Sequence, residues 1–220
     1  MLKFRKAEQN DKAALCALMK STPGGAVAFS ALYLSADDIS DRFFVGENEY
    51  GKTESVVFDT GNEYFLVFGE EFPPLFSREE KVIMLYKQST CEGDTAEVLQ
   101  GKEILELYKL LSGKNILSFD DEGRYVSRVR AVNSGLAAVF GIKKDGRLVS
   151  SASVSSMNEK YAVIADVFTA TEYRRKGFAL ACLVAAVKFS LKNGKIPMLL
   201  CDEEMCPYYE KAGFEIYGKM

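Results

Sequence analysis

The sequence predicts an α/β (α+β) protein built on a mixed sheet, and three observations carry that prediction. Strand-length runs rich in β-branched and aromatic residues recur in both halves, joined by turn signals such as Asp145-Gly146. Near the C-terminus an apolar helix separates two such runs, Tyr161 to Thr169 and Ile196 to Cys201, and a strand-helix-strand unit sets its strands parallel. Over 220 residues, 48% hydrophobic composition suffices for a sizeable core, in one large domain or two small ones.

Leu2 to Lys6 reads as an edge strand, and Asn10 or Asp11 can cap a helix carrying Ala14, Leu15, Leu18 and Met19 at helical spacing. Thr22-Pro23-Gly24-Gly25 is expected to end that helix, with a second from Ala26 to Ser35. Residues 36–50 are mixed and show no dominant period. Glu54 to Asp59 and Glu63 to Gly69 form a hairpin through Thr60-Gly61-Asn62. Ser77 with Glu80 resembles a capping box, whereas Val82 to Tyr86 suits a buried strand, which is the favoured reading. Lys102 to Leu111 places Ile104, Leu105, Tyr108 and Leu111 on one helical face, with Gly113 as terminator.

Lys114 to Gly123 has the composition of a linker, so the chain divides into a lobe at 1–120 and a domain at 121–220. In the second part, Leu136 to Ile142 and Arg147 to Ser156 flank Lys143-Lys144-Asp145-Gly146 as a hairpin, and Tyr161 to Thr169 follows. The helix starting near Gly177 carries Leu180, Leu183, Val184, Val187 and Leu191 on one stripe and Ala181, Cys182, Ala185 and Phe189 opposite, so most of its circumference is buried. Lys192-Asn193-Gly194 closes it. A last helix, Glu203 to Ala212, stops at Gly213 before Phe214 to Lys219.

The chain contains no histidine, which excludes histidine-based triads and imidazole metal sites. Cys16, Cys91, Cys182, Cys201 and Cys206 are odd in number and have no framework spacing, which suits a reducing cytoplasm and makes a metal site unexpected. No apolar window reaches membrane-spanning length and the N-terminus has no signal-peptide pattern, so a cytoplasmic protein without membrane or nucleic-acid partners is expected, as monomer or homodimer. The net charge of −3 hides a polarity: residues 1–123 carry 13 Lys and Arg against 22 Asp and Glu, while residues 124–220 carry 15 against 9. The second part suits an anionic ligand and the first a cationic one, unless the polarity is surface decoration.

That anion has an obvious seat. Val167-Phe168-Thr169 leads into Arg174-Arg175-Lys176-Gly177-Phe178-Ala179, a basic turn from strand to helix. The free amides of a helix's first turn and the macrodipole favour negative charge by about 0.3–1 kcal/mol per charge, and three cations add to it. A polyphosphate is the natural partner, although a solvated charge run has the same composition.

These residues, with Tyr209-Glu210-Lys211-Ala212-Gly213-Phe214 further on, resemble the acyl-CoA core of the GNAT superfamily of N-acyltransferases. Arg174-x-x-Gly177-x-Ala179 matches that family's pyrophosphate turn, and the likeness covers about residues 124–220. Val-Phe-Thr and Glu172-Tyr173-Arg174 look most like the branch with glycine N-acyltransferase-like domains. The resemblance implies a mixed sheet splayed between its parallel strands; the helix-then-strands order and the length of residues 1–120 suggest a degenerate copy of the same fold. It implies acetyl-CoA as co-substrate: amides of residues 175–179 on the diphosphate, Val167 and Thr169 main chain on the pantetheine arm, and Tyr209 as general acid toward the thiolate, with Tyr208 turned into the core. Asp202 stands where many members have an asparagine on CoA, Arg175 replaces a frequent glycine, and Asp166 lies near where some members carry a carboxylate base.

An alkylamine with pKa near 10.4 is neutral in about one molecule in 2,500 at pH 7, so its attack requires a proton acceptor. Without histidine the candidates are Asp166, Asp202 or Glu204, directly or through water, with Asp166 preferred. The competing reading of Asp166 is an ion pair with an arginine such as Arg147; that of Tyr209 is packing alone. The cysteines read most simply as small buried hydrophobes. The expectation is therefore an acetyl-CoA-dependent N-acetyltransferase acting on a small-molecule amine or basic peptide. The alternatives are a non-catalytic acyl-CoA sensor and a nucleotide-binding protein, the latter disfavoured because Lys176-Gly177-Phe178 lacks the P-loop's Gly-Lys-Ser or Gly-Lys-Thr.

Overall fold

A computed structural model describes residues 2–34, 39, 42–59, 64–71, 73, 81–88, 90, 92–93, 96–112 and 119–220. The Thr60-Gly61-Asn62 turn, Ser77, Glu80 and Gly113 lie outside the described residues.

Two stretches of the chain repeat one order of elements. The first is β1 (Lys3–Lys6), α1 (Lys12–Met19), α2 (Pro23–Leu34), β2 (Phe43–Glu47), β3 (Thr53–Asp59) and β4 (Tyr64–Phe68). After β5 (Val82–Tyr86) the order recurs as β6 (Glu97–Leu99), α3 (Glu103–Ser112), α4 (Phe119–Asn133), β7 (Ala138–Lys144), β8 (Arg147–Met157) and β9 (Tyr161–Thr169). In both copies the four strands pair antiparallel in sequence order. The first lobe is thus a partial copy of the second. Only the second continues, through α5 (Phe178–Lys192), β10 (Ile196–Cys201), α6 (Cys206–Lys211) and β11 (Phe214–Lys219).

The seven-stranded sheet has the order β11-β5-β10-β9-β8-β7-β6, with β10 parallel to β9 and β5 antiparallel to both β10 and β11. A strand from before residue 120 therefore lies inside the C-terminal sheet. All five residues of β5 are buried: Val82, Met84 and Tyr86 join the α5-side core, and Ile83 and Leu85 join the core shared with the first lobe. Both faces are covered, which explains why this segment reads as a continuous apolar run.

α5 packs on one face of the large sheet and α2 on the other. Residues 182–187 of α5 are buried in succession, as expected, but Leu180 is exposed because it lies in the open first turn. The first helix ends at Met19, just ahead of Thr22-Pro23-Gly24-Gly25, and that stretch itself starts the second, three residues before the expected Ala26. Pro23 occupies the first turn, where its missing N–H costs nothing, and Thr22 Oγ1 accepts from Gly25 N at 3.1 Å. The glycines are there for close approach: a Cβ at Gly24 would lie 2.7 Å from Val67 O, and one at Gly25 would lie 2.3 Å from Met19 O.

The linker expected over residues 114–123 is helical from Phe119 onward, and the expected division at 120/121 falls inside α4. Isolated, this charged segment with Gly123 would be a poor helix; in the protein its Tyr125, Val129 and Val132 pack beside the core around Tyr108 of α3. The helix expected over 203–212 is a 3-10 turn at Glu203–Met205 followed by α6.

Asn158, between β8 and β9, ties the two lobes together. Its Nδ2 donates to Met19 O at 2.8 Å and Thr22 O at 2.9 Å, while Oδ1 accepts from Lys160 N and Tyr161 N. Ser156 Oγ accepts from Ser30 N in α2, and Glu159 N donates to Lys20 O. Among the described residues no helix is long and apolar enough to cross a membrane.

Candidate active site

The parallel pair β9–β10 opens as it runs. Pairing ends at Ile164 with Leu199, yet β9 continues to Thr169. A bulge produces the divergence: Ser153 pairs with Ala165 and Ser151 with Phe168, so Asp166 and Val167 both face Ala152. Asp166 takes up the extra residue at φ +55°, a left-handed conformation that aspartate tolerates better than most residues.

The gap holds a cavity of about 270 Å³, lined by residues 163–167 of β9, Leu199 and Leu200 of β10, Tyr209 of α6, Ser155 of β8 and Val27 of α2. Asp166 and Tyr209, far apart in sequence, therefore share one wall-to-wall space. A larger cavity of about 440 Å³ between residues 66–70, the start of α2 and β11 contains none of the expected site residues.

Asp166 is held tightly. Arg128 Nη2 of α4 donates to its Oδ2 at 3.1 Å, and Ser153 Oγ donates to the same oxygen. The ion pair is with Arg128, not with Arg147, because α4 lies across β8 and brings its guanidinium over the bulge. Burial works against the Arg128 charge, but Asp166 and Tyr108 outweigh it and push its pKa upward. Tyr108 is itself anchored, its hydroxyl donating to Arg124 O at 3.1 Å.

Tyr209 is buried and packs edge-on against Tyr208 and Phe214, with centroids 5.1 and 6.1 Å away. Burial, with contributions from Cys201 and Tyr208, pushes its phenol up to about 12, so it stays protonated at neutral pH. Tyr208, expected in the core, is 37% exposed. Gly213 at φ +93° precedes Phe214, whose ring packs edge-on against both Tyr209 and Tyr86. A Cβ at Gly213 would lie 2.9 Å from Tyr86.

Beyond β9, a 3-10 turn at Thr171–Tyr173 leads into the basic turn. Arg175 at φ +61° and Gly177 at φ +78° are both left-handed, and α5 begins with Phe178. Among the described residues the main-chain N–H groups of residues 175–180 donate to nothing, and they converge at a helix N-terminus. Such a run of free amides is an anion cradle. A Cβ at Gly177 would meet nothing within 4 Å, so the space before the amides is open. Arg174 Nε donates to Thr169 O at 3.1 Å, and Lys176 Nζ stands 5.0 Å from the Tyr173 ring. Lys144, from the β7–β8 hairpin, places Nζ 5.4 Å over the Phe178 ring, adding a cation that sequence reading did not assign to this site.

Of the remaining expected residues, only Val167 is on the cavity wall. Phe168 and Thr169 are not, and the Thr169 carbonyl is already engaged by Arg174. Asp202 follows β10 and pairs with Lys81 Nζ at 3.0 Å, and Glu204 is exposed. Burial pushes the Cys182 thiol up to about 11 and that of Cys201, beside Cys206, up to about 12, so neither is a thiolate nucleophile at neutral pH. Arg128 and Ser153 went unassigned in the sequence because only the bulge brings them to Asp166; the spacing of Arg124 and Arg128, one helical turn apart, was the available hint.

Residues 120–218 match the model of the GNAT acetyltransferase family. Solved structures with the same fold include an acetyltransferase from the GNAT family of Colwellia psychrerythraea, with TM-score 0.62, 9% identity, and 99% of this chain and 97% of that one covered. A tandem GNAT protein from the clavulanic acid biosynthesis pathway matches with TM-score 0.56 and 13% identity over 100% of this chain and 96% of its own. A protein described as an acetyltransferase of the GNAT family from Novosphingobium aromaticivorans gives TM-score 0.52 and 18% identity, with 64% of this chain and 61% of that one covered, so this chain spans under two thirds of its length. No curated protein matches. The chain has the GNAT fold. The family match is confined to the C-terminal part of the chain.

Proposed function

We propose that this protein is an acetyl-CoA-dependent N-acetyltransferase of a primary amine, working by direct attack on the thioester. The observation that carries the reading is the single cavity at the strand splay, which has a buried, protonated Tyr209 and the carboxylate of Asp166 on its walls and the free-amide turn at the end of the same strand. The residues fit the donor. The amides of 175–180, with Arg174, Arg175, Lys176 and Lys144 around them, suit a diphosphate, and Gly177, Phe178 and Ala179 keep the approach open. Val167, Phe168 and Thr169 border the path for a pantetheine arm, and Asp202 lies at its rim. The sequence after β4 has Glu70 and Glu71, in contrast to the basic turn that follows β9.

In the reaction the amine nitrogen bonds to the thioester carbonyl carbon and the carbon–sulfur bond breaks. Asp166 receives the amine proton, directly or through water, and the Tyr209 phenol supplies a proton to the leaving sulfur. Moving a proton from an alkylammonium to a carboxylate before attack is uphill by about 9 kcal/mol, from reference pKa values near 10.4 and 3.9. The amine therefore enters as its neutral minority form, its ammonium proton having gone to solvent, and the proton that Asp166 receives is the one the nitrogen sheds with or after carbon–nitrogen bond formation, when it has become far more acidic. No metal is needed for these steps.

The first lobe, β1 to β4 with α1 and α2, supplies the acceptor side in this reading, supported by Val27 of α2 on the cavity wall. Its acidic balance favours a cationic acceptor such as a polyamine, aminoglycoside or basic peptide. Glucosamine joins that panel because one fold neighbour, with TM-score 0.56 and 12% identity, is a fungal glucosamine N-acetyltransferase region, of which this chain spans 37%. The likeness of Val167 to Thr169 and Glu172 to Arg174 to glycine N-acyltransferase-like domains adds amino acids to it. The test is acetyl-CoA consumption across the panel. Release of CoA with at least one amine is expected. Saturable CoA binding without transfer to any amine would instead identify a non-catalytic acyl-CoA sensor, and absence of CoA binding would reject both.

A further inference from the structure

Two local costs meet beside the cavity. Asp166 is a non-glycine residue at φ +55°, and among the described residues the buried Arg128 Nη1 has no hydrogen-bond partner. A left-handed L-residue is strained, and an orphaned buried donor, especially a charged one, sacrifices its solvation for nothing. Strain of this kind collects at functional sites, and a buried ion pair with an unsatisfied nitrogen is a poor device for stability. The Arg128 side chain is 14% exposed and that of Asp166 21%, so the pair is set inside the protein.

The pair also has a direction. Arg128 Nη2 and Ser153 Oγ both donate to Oδ2 of Asp166, from α4 and β8 respectively. Among the described residues Oδ1 has no partner, on a side chain that lines the cavity. Behind Arg128, α3 supports α4 through the Tyr108 hydroxyl on Arg124 O.

We infer that Arg128 is a positioning residue: together with Ser153 it clamps one oxygen of Asp166 and thereby presents the other to the acceptor nitrogen. This rests on the reading of Asp166 as proton acceptor, but it makes a separate claim, that the carboxylate has no fixed orientation without Arg128. Ser153 alone is a single rotatable donor and cannot hold both the position and the plane of the carboxylate; the guanidinium fixes it from a second element. Arg128 acts through Asp166 and does not touch the reacting atoms.

The test combines crystal structures and kinetics of Arg128→Ala, Arg128→Lys and Asp166→Asn, with acetyl-CoA and the panel amine turned over fastest. In Arg128→Ala the Asp166 carboxylate is expected to rotate away or become disordered, and kcat/KM for the amine to fall at least tenfold while KM for acetyl-CoA is unchanged. Arg128→Lys restores part of the loss, as does millimolar guanidinium added to Arg128→Ala; loss of fold alone would give neither rescue. A carboxylate that stays in place in Arg128→Ala overturns the inference whatever the kinetics. If Asp166 moves in Arg128→Ala but Asp166→Asn retains full activity, the clamp exists and the assignment of Asp166 as proton acceptor is what fails.

Discussion

Removing one oxygen atom from Tyr209 separates its chemical role from its structural one. In Tyr209→Phe the ring keeps its contacts with Tyr208 and Phe214, and the lost hydroxyl has no hydrogen-bond partner among the described residues, so no buried group is orphaned. Stability should therefore change by less than about 0.5 kcal/mol, a shift in Tm of roughly 2 °C or less for a chain of this size. General acid catalysis is worth roughly 10²–10⁴-fold, so kcat is expected to drop by that factor, equivalent to about 3–5 kcal/mol of barrier. The phenol's pKa of about 12 sets the pH signature: the acid form is required, it persists through pH 10, and no basic limb from Tyr209 belongs in the wild-type profile below about pH 11. The assay follows free CoA thiol at saturating amine, with CoA affinity measured calorimetrically on both proteins. Turnover within threefold of wild type would remove Tyr209 from the mechanism. A loss of CoA affinity that accounts for the whole effect would make it a binding residue instead.

Three further outcomes follow from the same geometry. Asn158→Ala deletes four hydrogen bonds at a side chain only 3% exposed, and is expected to cost roughly 2–4 kcal/mol and about 5–15 °C in Tm; a melt within 2 °C of wild type would show that the lobes do not depend on this lock. Gly177→Ala introduces no clash but forces an L-residue to φ +78°, so it should cost about 1–2 kcal/mol of stability while weakening CoA binding more than tenfold; unchanged affinity argues against the amide cradle. For Cys182 the folded pKa of about 11 exceeds the unfolded value near 9, so the unfolded chain ionises first and stability present below pH 9 declines between pH 9 and 11, by up to about 3 kcal/mol. Urea unfolding at pH 8.5 and 10.5 should show a smaller decline for Cys182→Ala than for wild type, and equal declines would contradict the assigned burial of that thiol.

The features that the sequence determined by itself are those with a local physical cause. Asp145-Gly146 is a two-residue hairpin because both residues accept positive φ, and they adopt +50° and +74°. Gly177 marks the start of α5 for the same kind of reason, and the parallel pair β9–β10 follows from the handedness of a strand-helix-strand unit. The basic turn and the Tyr209 to Phe214 segment were legible because the ligand cradle is made of consecutive residues. What only the tertiary structure decided depends on contacts distant in sequence. Gly24 and Gly25 look like helix breakers until Val67 and Met19 are seen against them, and α4 looks like a linker until α3 covers its apolar side. β5 pairs between β10 and β11 across more than half of the chain, and no local period encodes a partner. Arg128 reaches Asp166 only because a bulge in β9 turns that carboxylate toward α4. Local backbone preference places the donor turn; long-range packing assembles the acceptor side, which is why the chain announces the diphosphate cradle and keeps its amine unstated.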